Sequence, residues 1–300
     1  MPDIYLHRML PHIKETFSDA VIFVSENRKY AEVENLNHNF TLIIEDQKIH
    51  PDDSFGFVKL KAFIDNTHFD YEQMLQFITV MNHCHRGCHW AIDTLHPDGN
   101  KLYLYSTLIT ELGRRNDDRE QMVMEILNLQ KMKYLTDQYL IESKKNPFWF
   151  KDFLETYGCS IIPCHAPENY IPEPEFAMVQ TLERILKLNY NVQKINNTSF
   201  KITSEKNSVS ILTFLGHELV SVYSVVTEEN KTSINLRQIL NERNQDILWG
   251  HYEISPVQNI IGFTNYLRLS DGIRDIKLRL FLDSPDFART MYFENQYLAA

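Results

Sequence analysis

The chain has 300 residues, of which 43% are hydrophobic, 12% aromatic and 23% charged, with a formal net charge of −10 at pH 7. That apolar content supports compact folding without disulfides or a structural metal, and the length makes two domains the first expectation, with a single large α/β domain as the alternative. The acidic balance, with no run of Lys and Arg, excludes a general nucleic-acid binder and favours a basic or neutral protein partner, and no stretch approaches the ~18 uninterrupted apolar residues of a membrane span.

A first helix is expected over Ile4 to Phe17, interrupted by Pro11. Strand signals follow: Phe40, Leu42 and Ile44 share one face, and Val58, Leu60 and Ala62 alternate with Lys59 and Lys61. Asp70 opens a helix with capping-box spacing to Gln73, its apolar stripe is Met74, Leu75, Ile78 and Met81, and it stops near Gly87. Strands at about Cys88 to Leu95 and Lys101 to Thr110 flank Pro97-Asp98-Gly99-Asn100, which reads as a hairpin turn. Asp117 is placed to cap the next helix, with Glu120 three residues on and Met122, Ile126, Leu129, Met132 and Tyr139 along one face.

From Lys144 to Pro174 the period is lost and prolines accumulate at 147, 163, 167, 172 and 174, the mark of a connection. Its aromatic residues, Phe148, Trp149, Phe150, Phe153 and Tyr157, are expected to pack rather than stay in water. A helix through Ala177, Leu182, Ile185 and Leu186 then restarts the order, with strands at Phe200 to Thr203, Val209 to Leu215 and Val220 to Val226. A short helix over Leu236 to Leu240 precedes strands at Ile247 to Ile254 and Ile260 to Leu269. After Asp271-Gly272, Ile276, Leu278, Leu280 and Leu282 alternate as a strand, and Ser284 and Pro285 suit the start of a last helix carrying Phe287, Met291 and Leu298. The expected fold is α+β: a first domain over 1–145, a connector over 146–172, and a second, more divergent domain over 173–300. Each domain would be an antiparallel sheet packed against helices in the order helix, three strands, helix, two strands, helix. The Asp-Gly turns at Asp98 and Asp271, each before an alternating strand and a capped helix, suggest a degenerate duplication.

The helix ending at Met81-Asn82, the turn containing Gly87, Trp90-Ala91-Ile92-Asp93 and the strand Leu102 to Ile109, set in this element order, carry a resemblance. Over about Ile4 to Ser143 the chain resembles the type III secretion chaperone-like fold shared by CesT-type chaperones and YbjN-like proteins, while the extra strand material before Asp271 departs from that pattern. The resemblance implies a non-catalytic protein, a monomeric pseudo-dimer or a homodimer; no cofactor is expected apart from a possible structural zinc. The protein would hold extended segments of a partner in apolar side-chain pockets or by strand addition to a free sheet edge.

All four cysteines fall in two His-bearing clusters, His83-Cys84-His85-Arg86-Gly87-Cys88-His89 and Cys159 with Cys164-His165. Cys84, Cys88, Cys159 and Cys164 are the candidate ligands of a structural zinc, the alternative being small buried residues at a helix-to-strand turn. So few cysteines, and the acidic start Met1-Pro2-Asp3-Ile4 with no apolar run behind it, lead to the expectation of a cytoplasmic protein. A Cys–His nucleophile is disfavoured because neighbours on a strand, such as Cys88 and His89, point to opposite faces. His217-Glu218 lacks the second His of a metalloprotease helix, Ser221 standing in its place among strand-forming Val220, Val222 and Val226. With nine glycines and no G-x-G-x-x-G, P-loop or G-x-S-x-G, nucleotide binding and serine-hydrolase chemistry lack a basis. Asp52-Asp53, Asp117-Asp118 and Glu228-Glu229 read as solvated turn or helix-start residues. Phe148, Trp149 and Phe150 are either a partner-binding anchor or a connector packed on its own domains. The leading expectation is a protein-binding module and not an enzyme, with the zinc protein and an unrecognised enzyme as alternatives.

Overall fold

A computed structural model describes residues 4–25, 30–36, 40–47, 55–64, 68–84, 87–111, 115–146, 173–204, 208–216, 218–228, 234–254, 260–269 and 275–298. The protein is α+β, with two antiparallel six-stranded sheets and six helices among these residues. It divides into two units, Met1–Met81 with Gly87–Leu154, and Asn82–Arg86 with Glu155–Ala300.

The first unit runs α1 (Ile4–Thr16), β1 (Val21–Val24), β2 (Tyr30–Leu36), β3 (Phe40–Gln47), β4 (Phe55–Phe63), α2 (Tyr71–Cys84, whose last residues from Asn82 on belong to the second unit), β5 (His89–Asp93), β6 (Lys101–Glu111) and α3 (Arg115–Lys145). Its strand order is β1-β2-β3-β4-β6-β5. Directly paired residues share a side, so Leu42, Ile44, Val58, Leu60, Ala62, Leu102, Leu104, Trp90 and Ile92 form one continuous apolar face, all fully buried. Helices α1 and α3 pack on this sheet. From that face the Trp90 indole donates to Thr136 Oγ1 on α3 at 3.1 Å, and Ser106 Oγ donates to Glu125 Oε2 at 2.8 Å. The start of α2 is a closed capping box: the Gln73 amide donates to Asp70 Oδ1 at 2.8 Å, and the Asp70 amide donates to Gln73 Oε1 at 3.0 Å.

The second unit repeats the order: α4 (Glu173–Asn189), β7 (Asn191–Lys194), β8 (Ser199–Thr203), β9 (Val209–Gly216), β10 (Leu219–Glu228), α5 (Ile234–Asp246), β11 (His251–Ile254), β12 (Ile260–Arg268) and α6 (Asp275–Leu298). Its sheet reads β7-β8-β9-β10-β12-β11, the same sequence of neighbours. The register repeats as well. Trp90 lies opposite Leu104 and Tyr252 opposite Phe263; Leu60 lies opposite Ser106 and Val222 opposite Asn265. Tyr252 Oη donates to the Ala288 carbonyl of α6 at 2.6 Å, and Asn265 Nδ2 to Ser284 Oγ at 3.0 Å, so both inner-face polar links to the last helix recur. Each helix-to-strand turn holds a glycine at positive φ, 88° at Gly87 and 87° at Gly250, a conformation that costs L side chains dearly.

Three expectations need correction. Each unit has four strands before its middle helix, not three, because Val21–Val24 and Tyr30–Leu36 are separate strands and Asn191–Lys194 precedes Ser199. The segment around Ile276, Leu278, Leu280 and Leu282 is the start of α6, with Pro285 inside it. Alternation at even positions coincides there with a helical stripe that surfaces only over a longer window: Leu278, Phe281, Leu282, Ala288 and Tyr292 are buried. Asp117 lies inside α3, which begins at Arg115. The second Asp-Gly turn, Asp271-Gly272, is outside the described residues.

Candidate functional site

The two sheets bury polar groups on the side opposite their helices. In the first unit the Lys59 ammonium lies 4.8 Å from the centre of the Tyr105 ring, and Lys61 lies 5.3 Å from that of Tyr103 while pairing with Glu45 at 2.7 Å. His89 packs its ring 5.0 Å from Tyr105, whose hydroxyl is pushed well above its ordinary pKa, first by burial and then by Tyr103 and Cys88. In the second unit the position of Ala91 is taken by Glu253, since Ala91 faces Tyr103 and Glu253 faces Gly262 in the matching ladder. Glu253 Oε2 lies 3.7 Å from His251 Nε2 and 3.8 Å from His83 Nδ1 of the same unit, and Thr264 Oγ1 donates to its other oxygen at 2.9 Å. Burial raises this carboxyl's pKa, but His251 and His83 outweigh it and hold the pKa at about 2. Gly262 leaves room for Tyr223, whose ring would lie 2.4 Å from an added Cβ. Burial, then Glu253, raises the Tyr223 hydroxyl. These groups are buried or half-buried and packed against one another, which suits a structural polar layer.

The chemistry that faces water differs. Strand β1 is the edge of the first sheet, pairing with β2 on one side through Val21 opposite Glu34, Ile22 opposite Val33, Phe23 opposite Glu32 and Val24 opposite Ala31. Its other side pairs with no strand among the described residues. None of its residues is charged, and Val21, Phe23 and Val24 are 40%, 53% and 42% exposed, with Tyr30 beside them on β2 also exposed. The matching edge β7 reads Asn-Val-Gln-Lys, and Lys194 is held by Glu183 at 3.3 Å. Soluble proteins blunt sheet edges with charge, above all lysine, because bare ones recruit further strands. By this standard β7 is blunted and β1 is open.

Of the residues singled out from the sequence, Cys88 is buried as a free thiol, its pKa pushed well up by burial and then by Glu125. Cys84 ends α2, and Asn128 Nδ2 of α3 donates to the Gly87 carbonyl at 2.8 Å, just before Cys88. The Cys84 side chain, Cys159 and Cys164 lie outside the described residues, as do Phe148, Trp149 and Phe150. Among the described residues no group of three His, Cys, Asp or Glu is arranged to hold a metal, and no helix is long and apolar enough to cross a membrane. A cavity of about 570 Å³ in the second unit is lined by charges of both signs, Arg279 with Asp283 and Asp286, beside Tyr190 and Phe287. Sequence reasoning overlooked the open edge, although its signal was present: Val-Ile-Phe-Val is β-prone and uncharged, but too short to display alternation. No family model, curated protein or solved structure matches this chain.

Proposed function

We propose that this protein is a non-catalytic binding module that takes an extended segment of a partner protein as an added strand on β1. The observation that carries the reading is the contrast between two topologically equivalent edges, one uncharged and exposed, the other closed by an ion-paired lysine. Backbone hydrogen bonds to β1 would supply affinity, and alternate side chains would supply specificity. On the outer face Phe23 and Val21 lie next to Glu32 and Glu34, so the fitting segment alternates apolar residues with Lys or Arg, in keeping with the net charge of −10. The mode of binding accords with the resemblance to type III secretion chaperones. The buried state of Cys88, with its raised thiol pKa, supports a packing role over a nucleophilic one.

The test is titration of the full chain with a fluorescent peptide of alternating Val and Lys, against a counterpart of alternating Val and Glu. Saturable binding of the first, weaker binding of the second and loss of both in Phe23→Lys are expected. Equal binding by Phe23→Lys would place the segment elsewhere and sink the proposal.

A further inference from the structure

Helix α3 is apolar on two opposite faces. One face carries Met122, Ile126, Leu129, Met132 and Leu140, all buried against the first unit. Roughly half a turn away stand Met124, Leu127, Tyr134 and Ile141, 43%, 42%, 67% and 45% exposed. A helix covering one core has a polar outer face, whereas Leu127, Tyr134 and Ile141 recur here at heptad spacing and fill one of the two seam positions of a helix pair, the other being shared by Met124 with Lys131 and Gln138. Interspersed on this stripe are Glu120, Lys131, Gln138 and Lys145.

We propose that α3 is a self-association surface that pairs antiparallel with α3 of a second copy. The stripe is complementary to its own reverse. In a single register Met124 meets Ile141, Leu127 lies against the stem of Gln138, Lys131 lies beneath the Tyr134 ring and Glu120 meets Lys145, each contact occurring twice about a two-fold axis. A parallel pairing instead sets Lys131 against Lys131 and Glu120 against Glu120, so the charges select the antiparallel one. Within one chain Lys145 touches Glu142 at 2.8 Å, an exposed pair that exchanges partners at little cost. The helix has 31 residues. Its length is therefore about 46 Å and the stripe from Met124 to Ile141 about 26 Å. One helix pair of this reach buries less than the roughly 800 Å² per partner of a standard interface, so the dimer is reversible, with a micromolar dissociation constant.

Sedimentation velocity of the full chain over about 1 to 300 μM tests this, because that range brackets a micromolar equilibrium. The expected result is a weight-average sedimentation coefficient that climbs with concentration from that of a 35.5 kDa monomer towards a dimer. Tyr134→Glu or Leu127→Glu should weaken the association at least tenfold, about 1.4 kcal/mol. Glu120→Lys alone and Lys145→Glu alone should each weaken it, and the two together should restore it. A monomer throughout the range overturns the proposal. So does a dimer indifferent to the α3 variants but lost in Phe23→Lys, which would make β1 the contact, and so does a double exchange that fails to restore. The altered side chains are exposed, so thermal melts should match the parent; if a glutamate variant melts early, the charge-exchange set carries the test.

Discussion

The two units share a strand order and an inner-face register, and they part company on the surfaces those shared elements leave over. In the first, β1 is uncharged and exposed and the buried outer face carries Lys59 and Lys61 over tyrosine rings; in the second, β7 ends in an ion-paired lysine and the matching face buries Glu253 beside His251. What the units share is the set of contacts that defines the sheet and seats the last helix. What differs is the chemistry available to anything else. A duplicated fold under one constraint for stability and separate constraints for binding would look like this, and the likeness can be tested position by position.

The largest expected effect falls on the shared core. Trp90 and Tyr252 occupy equivalent positions and each bonds to the helix that closes its unit. Truncating either to alanine removes a buried aromatic and its hydrogen bond to the helix, at a cost of about 3–5 kcal/mol. Hydrogen exchange read by mass spectrometry should show the loss in β5 and β6 for Trp90→Ala and in β11 and β12 for Tyr252→Ala. Similar losses would confirm the equivalence; a loss in only one would break it.

Next comes Glu253, where the units differ. Its pKa in the folded protein, about 2, lies below the ordinary 4.5, so its contribution is fully present above about pH 4.5 and disappears as pH falls towards 2. Glu253→Gln keeps an acceptor for Thr264 but removes the charge facing His251 and His83. Urea unfolding should show the variant less stable at pH 6 by on the order of 3 kcal/mol, with the two curves converging near pH 2. A gap that is independent of pH would mean that shape, not charge, is what Glu253 contributes.

The turn glycines give a smaller and graded comparison. Both need positive φ, but at Gly250 an added Cβ would also lie 2.4 Å from the Phe263 ring and 2.8 Å from the Thr264 carbonyl oxygen. Gly87→Ala should therefore cost about 1–2 kcal/mol and Gly250→Ala visibly more, measured as shifts in the denaturation midpoint.

How far the sequence foretold this arrangement depends on how many residues each feature needs to declare itself. The capping box at Asp70 and Gln73, the Gly99 hairpin and the alternation of Val58, Leu60 and Ala62 are complete within a few positions, and all three stand in the structure. Strand β1 is as short but carries no alternation, because at an edge both of its faces are partly wet. The Ile276 to Leu282 stretch satisfied two periods at once, and its helical period wins only with Ala288 and Tyr292 included. On α3 the stripe of Met122, Ile126 and Leu129 was legible, but the second, outward stripe dilutes the contrast between faces that marks an amphipathic helix. Buried Glu253 was invisible, since only the fold brings His251, Thr264 and Tyr223 around it.

The smallest effect on stability is expected at the edges themselves, where the effect on binding should be greatest. Phe23→Lys places a charge on an exposed strand and should shift stability by no more than about 0.5 kcal/mol. Lys194→Val does the reverse to β7, and the ion pair it removes, between the half-exposed Lys194 and a Glu183 that keeps Lys187 as a partner, is worth about 0–1 kcal/mol. If charge at the edge is what separates the units, Lys194→Val should acquire binding of the alternating Val and Lys peptide while Phe23→Lys loses it, both with thermal midpoints near the parent. Should Lys194→Val remain inert, charge is not the whole difference. The exposed Phe23 and Tyr30 rings, for which β7 and β8 offer Gln193 and Ser199, would then be what makes the first edge a docking strand.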